Sequence, residues 1–144
     1  MGRWELLLID ADNTLFDFEA SQGIALERAC LEMGIDYHPE TLDLYGRINA
    51  QLWAAYERKE VTQQELRRLR SERFLAEVSS ALDPEAFGDA YVEALSNAAV
   101  LLPDALETLK AASARAGVVI ITNGISQIQR RRMAASPFGP YIRG

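Results

Sequence analysis

The sequence predicts an α/β fold, a parallel-sheet core interrupted after its first strand by an all-helical insert. Three observations carry this reading. Leu6-Leu7-Leu8-Ile9 is a short apolar run that stops at Asp10-Ala11-Asp12-Asn13-Thr14. Gly117-Val118-Val119-Ile120-Ile121 is a second such run, stopping at Thr122-Asn123-Gly124. Between them the pattern is helical throughout. Short continuous apolar runs bounded by turn residues read as strands buried on both faces. A parallel pair of such strands needs a right-handed crossover.

The first run ends in two carboxylates one residue apart. At the carboxyl end of a strand the chain curls into a loop, so Asp10 and Asp12 can turn toward one crevice, the edge where open parallel sheets bind ligands. Two crowded carboxylates repel unless a cation intervenes. A hard divalent ion such as Mg²⁺, which takes a few oxygen ligands and keeps several waters, suits that place. An Asx-rich turn after a strand is the plainer alternative.

The insert follows at once. Residues 17–33 place Phe18, Ile24, Leu26, Ala29 and Met33 on one broad side, with Gly34 as the stop. A second helix over 39–58 repeats at Tyr45, Ile48, Leu52 and Tyr56. Thr62-Gln63-Gln64-Glu65 is a capping box opening a third, with Leu66, Leu69, Phe74 and Val78 inward. Asp83-Pro84 starts a fourth, through about residue 98. A fifth helix, 103–116, turns Leu106 and Leu109 inward and serves as the crossover to the second strand. The domains expected are therefore a core of 1–16 and 99–144, and a helical insert of 17–98. The insert reads as a lid over the carboxylates, against the alternative of extra helices packed on the sheet.

The second run closes in a hydroxyl, an amide and a glycine at the same sheet edge. The Thr122 hydroxyl can donate a hydrogen bond there. Gly124 admits the backbone closely, with no β-carbon in the way. Capping of the next helix by Thr122 or Asn123 is the simpler reading of these residues taken alone.

Asp10-Ala11-Asp12-Asn13-Thr14 resembles the D-x-D-x-T signature of the haloacid dehalogenase-like phosphohydrolases, and Ile121-Thr122-Asn123-Gly124 resembles their second motif. The resemblance implies a Rossmann-like core with a helical cap that selects substrate. It implies that Asp10 is the nucleophile that becomes an aspartyl-phosphate and Asp12 the general acid and then base. It also implies Mg²⁺ held by Asp10 and the backbone carbonyl of Asp12, and phosphate bound by Thr122, Asn123 and Gly124. The second acid favours phosphate transfer over carbon–halogen cleavage, since a leaving alkoxide benefits from a proton.

Within the superfamily the chain is most similar to pyrimidine 5′-nucleotidases acting on noncanonical nucleotides. This is carried by Asp10 to Phe18, Asn49-Ala50-Gln51-Leu52-Trp53, Val61-Thr62 with Arg73-Phe74, Leu101-Leu102-Pro103 and the second motif. The implied substrate is a nucleoside 5′-monophosphate, with a sugar phosphate or another small phosphomonoester as the alternative. Asn49 and Trp53 become candidate substrate contacts, against plain helix packing for Trp53.

The pattern also departs from that family. The resemblance implies a later lysine and a later acidic motif, yet Lys59 and Lys110 both precede the second motif. After Gly124 come Arg130, Arg131, Arg132 and Arg143, with no Lys, Asp or Glu. An N-terminal portion of a longer protein is the expectation, and a non-catalytic phosphate- or metal-binding remnant is the competing one. Arg130–Arg132 read as a solvated helix face, and His38 as a surface residue.

Composition excludes other classes. In 144 residues with 49% hydrophobic content, no apolar run approaches the length of a membrane helix. Arg3 ahead of a short strand is no secretory signal. One cysteine, Cys30, makes no internal disulfide and reads as a small core residue. A cytoplasmic protein is expected. A net charge of −6 argues against a nucleic-acid polymer as partner. No G-x-x-x-x-G-K pattern is present, so the phosphate site is not a P-loop.

Overall fold

The computed structural model describes residues 4–144; Arg3, and with it the start of the expected 1–16 segment, lies outside the described residues. Among the described residues, two strands and six α-helices follow in the order β1 (Leu6–Asp10), α1 (Phe18–Met33), α2 (Pro39–Glu57), α3 (Gln63–Glu77), α4 (Pro84–Ser96), α5 (Ala105–Ser113), β2 (Gly117–Ile121) and α6 (Ser126–Ala134). A short 3₁₀ turn, Gly139–Tyr141, comes after α6. The strands pair in parallel, Leu6 opposite Gly117 through Asp10 opposite Ile121. The α/β class and the insert after the first strand are as the sequence predicts.

The chain divides into two compact units, Met1–Gln22 with Leu95–Gly144, and Gly23–Ala94. In the first, Ala11, Leu15, Phe16, Ala105, Leu109, Val118, Met133 and Phe138 form one buried cluster. Ile9 and Ile120, neighbours in the ladder, pack against it. The chain leaves this unit and returns to it through a stitched neck. Asp17 N–H donates to the Val100 carbonyl at 2.8 Å and Leu102 N–H to the Leu15 carbonyl at 2.9 Å. Buried Ser21 accepts from Val100 N–H at 3.3 Å while its hydroxyl donates to the Asp17 carbonyl at 2.8 Å.

The strands are less covered than their composition suggests. Leu6 and Leu8 are 48% and 59% exposed, and Ile121 is 48% exposed. Burial on two faces, expected from unbroken apolar runs, is therefore corrected for β1, while β2 is buried or half-buried except at Ile121. Ile9 packs against the buried cluster and Leu7 is half-buried, while the alternate residues of β1 face outward. On its far edge β2 meets residues 143–144: Arg143 N–H donates to the Val118 carbonyl at 2.7 Å and Ile120 N–H to the Gly144 carbonyl at 2.6 Å.

The helices of the second unit start and stop where local chemistry directs. Thr62 caps α3 reciprocally, its hydroxyl accepting from Glu65 N–H at 3.1 Å and its own N–H donating to the Glu65 carboxylate at 3.0 Å. Asp83 accepts from Ala86 N–H at 3.1 Å at the head of α4. Gly34 ends α1 at φ +76, a left-handed conformation costly for other residues. Tyr45, Phe74, Phe87 and Tyr91 form a chain of ring contacts at the centre, with centroids 4.9–5.2 Å apart. Their edge-on and offset geometries suit the aromatic quadrupole.

Cys30 is fully buried on α1, as its apolar setting predicts. Burial pushes its thiol up to about 11, so thiolate is scarce near neutrality. A disulfide reagent at pH 8 should therefore label native protein far more slowly than denaturant-unfolded protein. Equal rates would show that this part of the unit opens freely. Because the folded thiol holds its proton longer, its contribution to stability is complete below about pH 9 and declines as pH rises toward 11.

Candidate active site

β1 delivers Asp10 to the carboxyl edge of the parallel pair, and the chain then tightens into a turn. Leu15 and Phe16 N–H groups both donate to the Ala11 carbonyl, at 2.9 and 3.0 Å, and Asn13 N–H donates to the Phe16 carbonyl at 2.7 Å. Asn13 takes the left-handed region at φ 60, which asparagine tolerates better than most residues. Asp10 is exposed, and none of the described side chains holds its carboxylate. It lines a cleft of ≈ 440 Å³ with Leu8, Thr14, Pro103 and Thr108.

Asp12 is held on both oxygens from α6. Oδ1 accepts from Arg132 Nη1 at 2.6 Å, and Oδ2 accepts from Gln129 Nε2 at 2.7 Å. The same Gln129 nitrogen donates to Thr122 Oγ1 at 2.9 Å, and Gly124 N–H donates to that hydroxyl at 3.0 Å. Gln129 in turn accepts from Arg132 Nη1 through Oε1, at 2.9 Å. Asp12, Thr122 and Gly124 are thus joined by a glutamine and an arginine. Gly124 is needed here by space, because a β-carbon would fall 2.7 Å from Gln129 Nε2.

Arg132 is 1% exposed and stacks over the Phe16 ring, its Cζ 4.5 Å from the centroid. Its Nε and Nη2 are buried without a hydrogen-bond partner among the described residues. The expected solvated arginine face is corrected for this residue: Arg130 is exposed, Arg131 half-buried and Arg132 buried. The inward stripe of α6 is Ile128, Gln129, Arg132 and Met133. Arg132 lies four residues after Ile128 and beside Met133, so helical phase was the available signal. Gln129 was missed with it.

The remaining candidates are more dispersed. Thr122 and Gly124 line a second cleft of ≈ 760 Å³ with Gln129, Arg130 and Met133. Asn123 is exposed between them. In the second unit, Asn49 is 3% exposed, and its side-chain oxygen accepts from Arg70 Nη1 at 3.1 Å. Trp53 is half-buried and meets Tyr56 edge-on at 5.5 Å. His38 is exposed at the head of α2.

No group of three or more His, Cys, Asp or Glu side chains that could hold a metal ion occurs among the described residues. Asp10 offers a free carboxylate, and Asp12 offers a backbone carbonyl while its side chain faces Arg132. One carboxylate and one carbonyl fit a largely hydrated Mg²⁺ and do not fit a site made wholly by protein.

The ion pair predicts an asymmetry in stability. Asp12→Ala leaves the buried Arg132 without a counter-charge, at a cost of about 3–5 kcal/mol. Arg132→Met leaves a carboxylate that is 27% exposed and fills the apolar slot over Phe16, so it should cost less. Urea unfolding of both variants checks this, and equal losses would refute it.

No family model matches the chain. Individual proteins do. It is 29% identical over 140 residues to the pyrimidine 5′-nucleotidase YjjG of Escherichia coli, spanning 97% of this chain and 60% of that protein. It is 31% identical over 140 residues to the pyrimidine 5′-nucleotidase PynA of Streptococcus pneumoniae, spanning 96% and 59%. The solved structure of the HAD-hydrolase YfnB of Bacillus subtilis, bound to magnesium, superposes with a TM-score of 0.90 at 27% identity, covering 99% of this chain and 64% of that one. An L-2-haloacid dehalogenase from Xanthobacter autotrophicus shares the fold, with a TM-score of 0.68 at 19% identity. The chain spans 59–61% of the length of the curated relatives it matches. Its homologues are haloacid dehalogenase-like hydrolases, pyrimidine 5′-nucleotidases among them, and it matches them over part of their length.

Proposed function

We propose that the protein is a phosphohydrolase releasing phosphate from a nucleoside 5′-monophosphate through an aspartyl-phosphate on Asp10. The observation that supports it best is the sheet edge: an unengaged carboxylate on Asp10, with Asp12, Thr122 and Gly124 linked beside it. An Asp10 oxygen attacks phosphorus in line as the bond to the ribose oxygen breaks, and Asp12 delivers a proton to that oxygen. Water then attacks phosphorus while Asp12 takes its proton, which frees Asp10 and phosphate. The Thr122 hydroxyl, which accepts from Gln129 and Gly124, keeps its own hydrogen for a nonbridging oxygen, and Asn123 and Gly124 belong to the same turn. Asp10 and the Asp12 carbonyl would hold Mg²⁺, which when bound neutralises phosphoryl charge. Residues 17–98 would act as the cap, with Trp53 the better candidate for a base, since Asn49 is engaged with Arg70. The location proposed is cytoplasmic; none of the described helices is long and apolar enough to cross a membrane.

A second reading, a non-catalytic phosphate- or metal-binding module, is favoured by the absence of a three-acid cluster among the described residues. Phosphate release from pyrimidine deoxynucleoside monophosphates, compared with sugar phosphates, decides between them. Asp10→Asn keeps the shape and removes the attacking charge, so turnover should vanish. Substantial activity in that variant refutes the assignment.

Mg²⁺ binding should be weak, because one protein carboxylate is a small fraction of the attraction a dehydrated ion needs. Titration calorimetry should show no tight site, and micromolar affinity would mean that other ligands hold the ion.

A further inference from the structure

We propose that Arg132 and Gln129 are positioning residues for Asp12, a clamp that holds it as the carboxylate that takes the proton of water in the second step; the inference rests on the role given to Asp12 above. Asp12 sits in a loop, where a side chain would otherwise sample several rotamers. Its two oxygens are instead held from residues 117 and 120 positions away, one by an amide and one by a guanidinium. The clamp is itself braced. Arg132 Nη1 bonds Gln129 Oε1, which turns the nitrogen of that amide toward Asp12 and Thr122. The Phe16 ring lies under the guanidinium and blocks its rotation out of plane. One donor, Gln129 Nε2, serves both the carboxylate and the Thr122 hydroxyl, so the acid and the proposed phosphate donor keep a fixed separation. Both guanidinium bonds come from one nitrogen, Nη1, while the flat group lies against the Phe16 ring, a contact that a compact ammonium does not reproduce, so arginine and lysine should differ here.

The alternative is that Asp12 only neutralises a buried arginine. Steady-state kinetics on a pyrimidine nucleoside monophosphate separate the two, with folded protein measured by circular dichroism. Arg132→Met should lower kcat about 100-fold with KM changing less than about threefold, the scale expected when a reacting group is displaced by about 1 Å. Arg132→Lys should recover about tenfold over the Met variant, because charge returns without the flat group stacked on Phe16. Folded Arg132→Met with kcat within about threefold of wild type overturns the proposal, since positioning acts on the chemical step. A readout without turnover uses ¹⁵N resonances of the arginine side chains. Hindered rotation should resolve the Arg132 Nη signals in the wild type, and Asp12→Asn should merge them. A freely rotating Arg132 in the wild type overturns the clamp. No phosphate release from a wild type whose Nη signals are resolved overturns the reading of function and with it the positioning role, while the ion pair stands as a structural contact.

Discussion

The ion pair between Asp12 and Arg132 joins the loop after β1 to α6, elements about as far apart in sequence as this chain allows. Its strength comes from its setting. The guanidinium is out of water, so the carboxylate is a condition of burying α6 against the sheet edge and not an ornament on it. Gln129 extends the constraint to Thr122, and Thr122 to the Gly124 backbone. The turn after β2 therefore takes its shape from the turn after β1. Parallel pairing alone would align the two strand ends without relating their side chains.

Asp10 stands outside that web. It shares the edge with the network through its register with Ile121, yet opens to its own cleft between Thr14 and Pro103. The two carboxylates are thereby separated in environment, one unengaged and one bound on both oxygens. Such a division would suit the roles proposed for them, one approaching phosphorus and the other held in place.

Much of this was legible in the sequence because it is local. The capping box at Thr62, the stop at Gly34 and the turn residues after Ile9 and Ile121 each act within a few positions. Both strands and the helical insert follow from such signals. The D-x-D-x-T resemblance picked out Asp10 and Asp12, and the relatives bear out the kinship that it implied. What escaped was non-local. Three consecutive arginines look alike in composition, and only the phase of α6 sets Arg132 inward beside Met133. Its partner lies 120 residues upstream, where no period reaches. The burial of β1 was overestimated for a related reason. An unbroken apolar run does not say how many neighbours the strand has, and here Leu6 and Leu8 face outward.

The stitched neck has a consequence for how this architecture tolerates change. Asp17 and Leu15 are bonded to Val100 and Leu102, so the chain that departs and the chain that returns are fastened to each other within the first unit. Whatever lies between them is a closed loop with a fixed base. Enlarging such a loop is thermodynamically cheap, about 0.6 kcal/mol for each doubling of its length. Residues 23–94 can accordingly diverge or lengthen while the base of the loop stays fastened. A neck of this kind lets one sheet edge carry many different inserts.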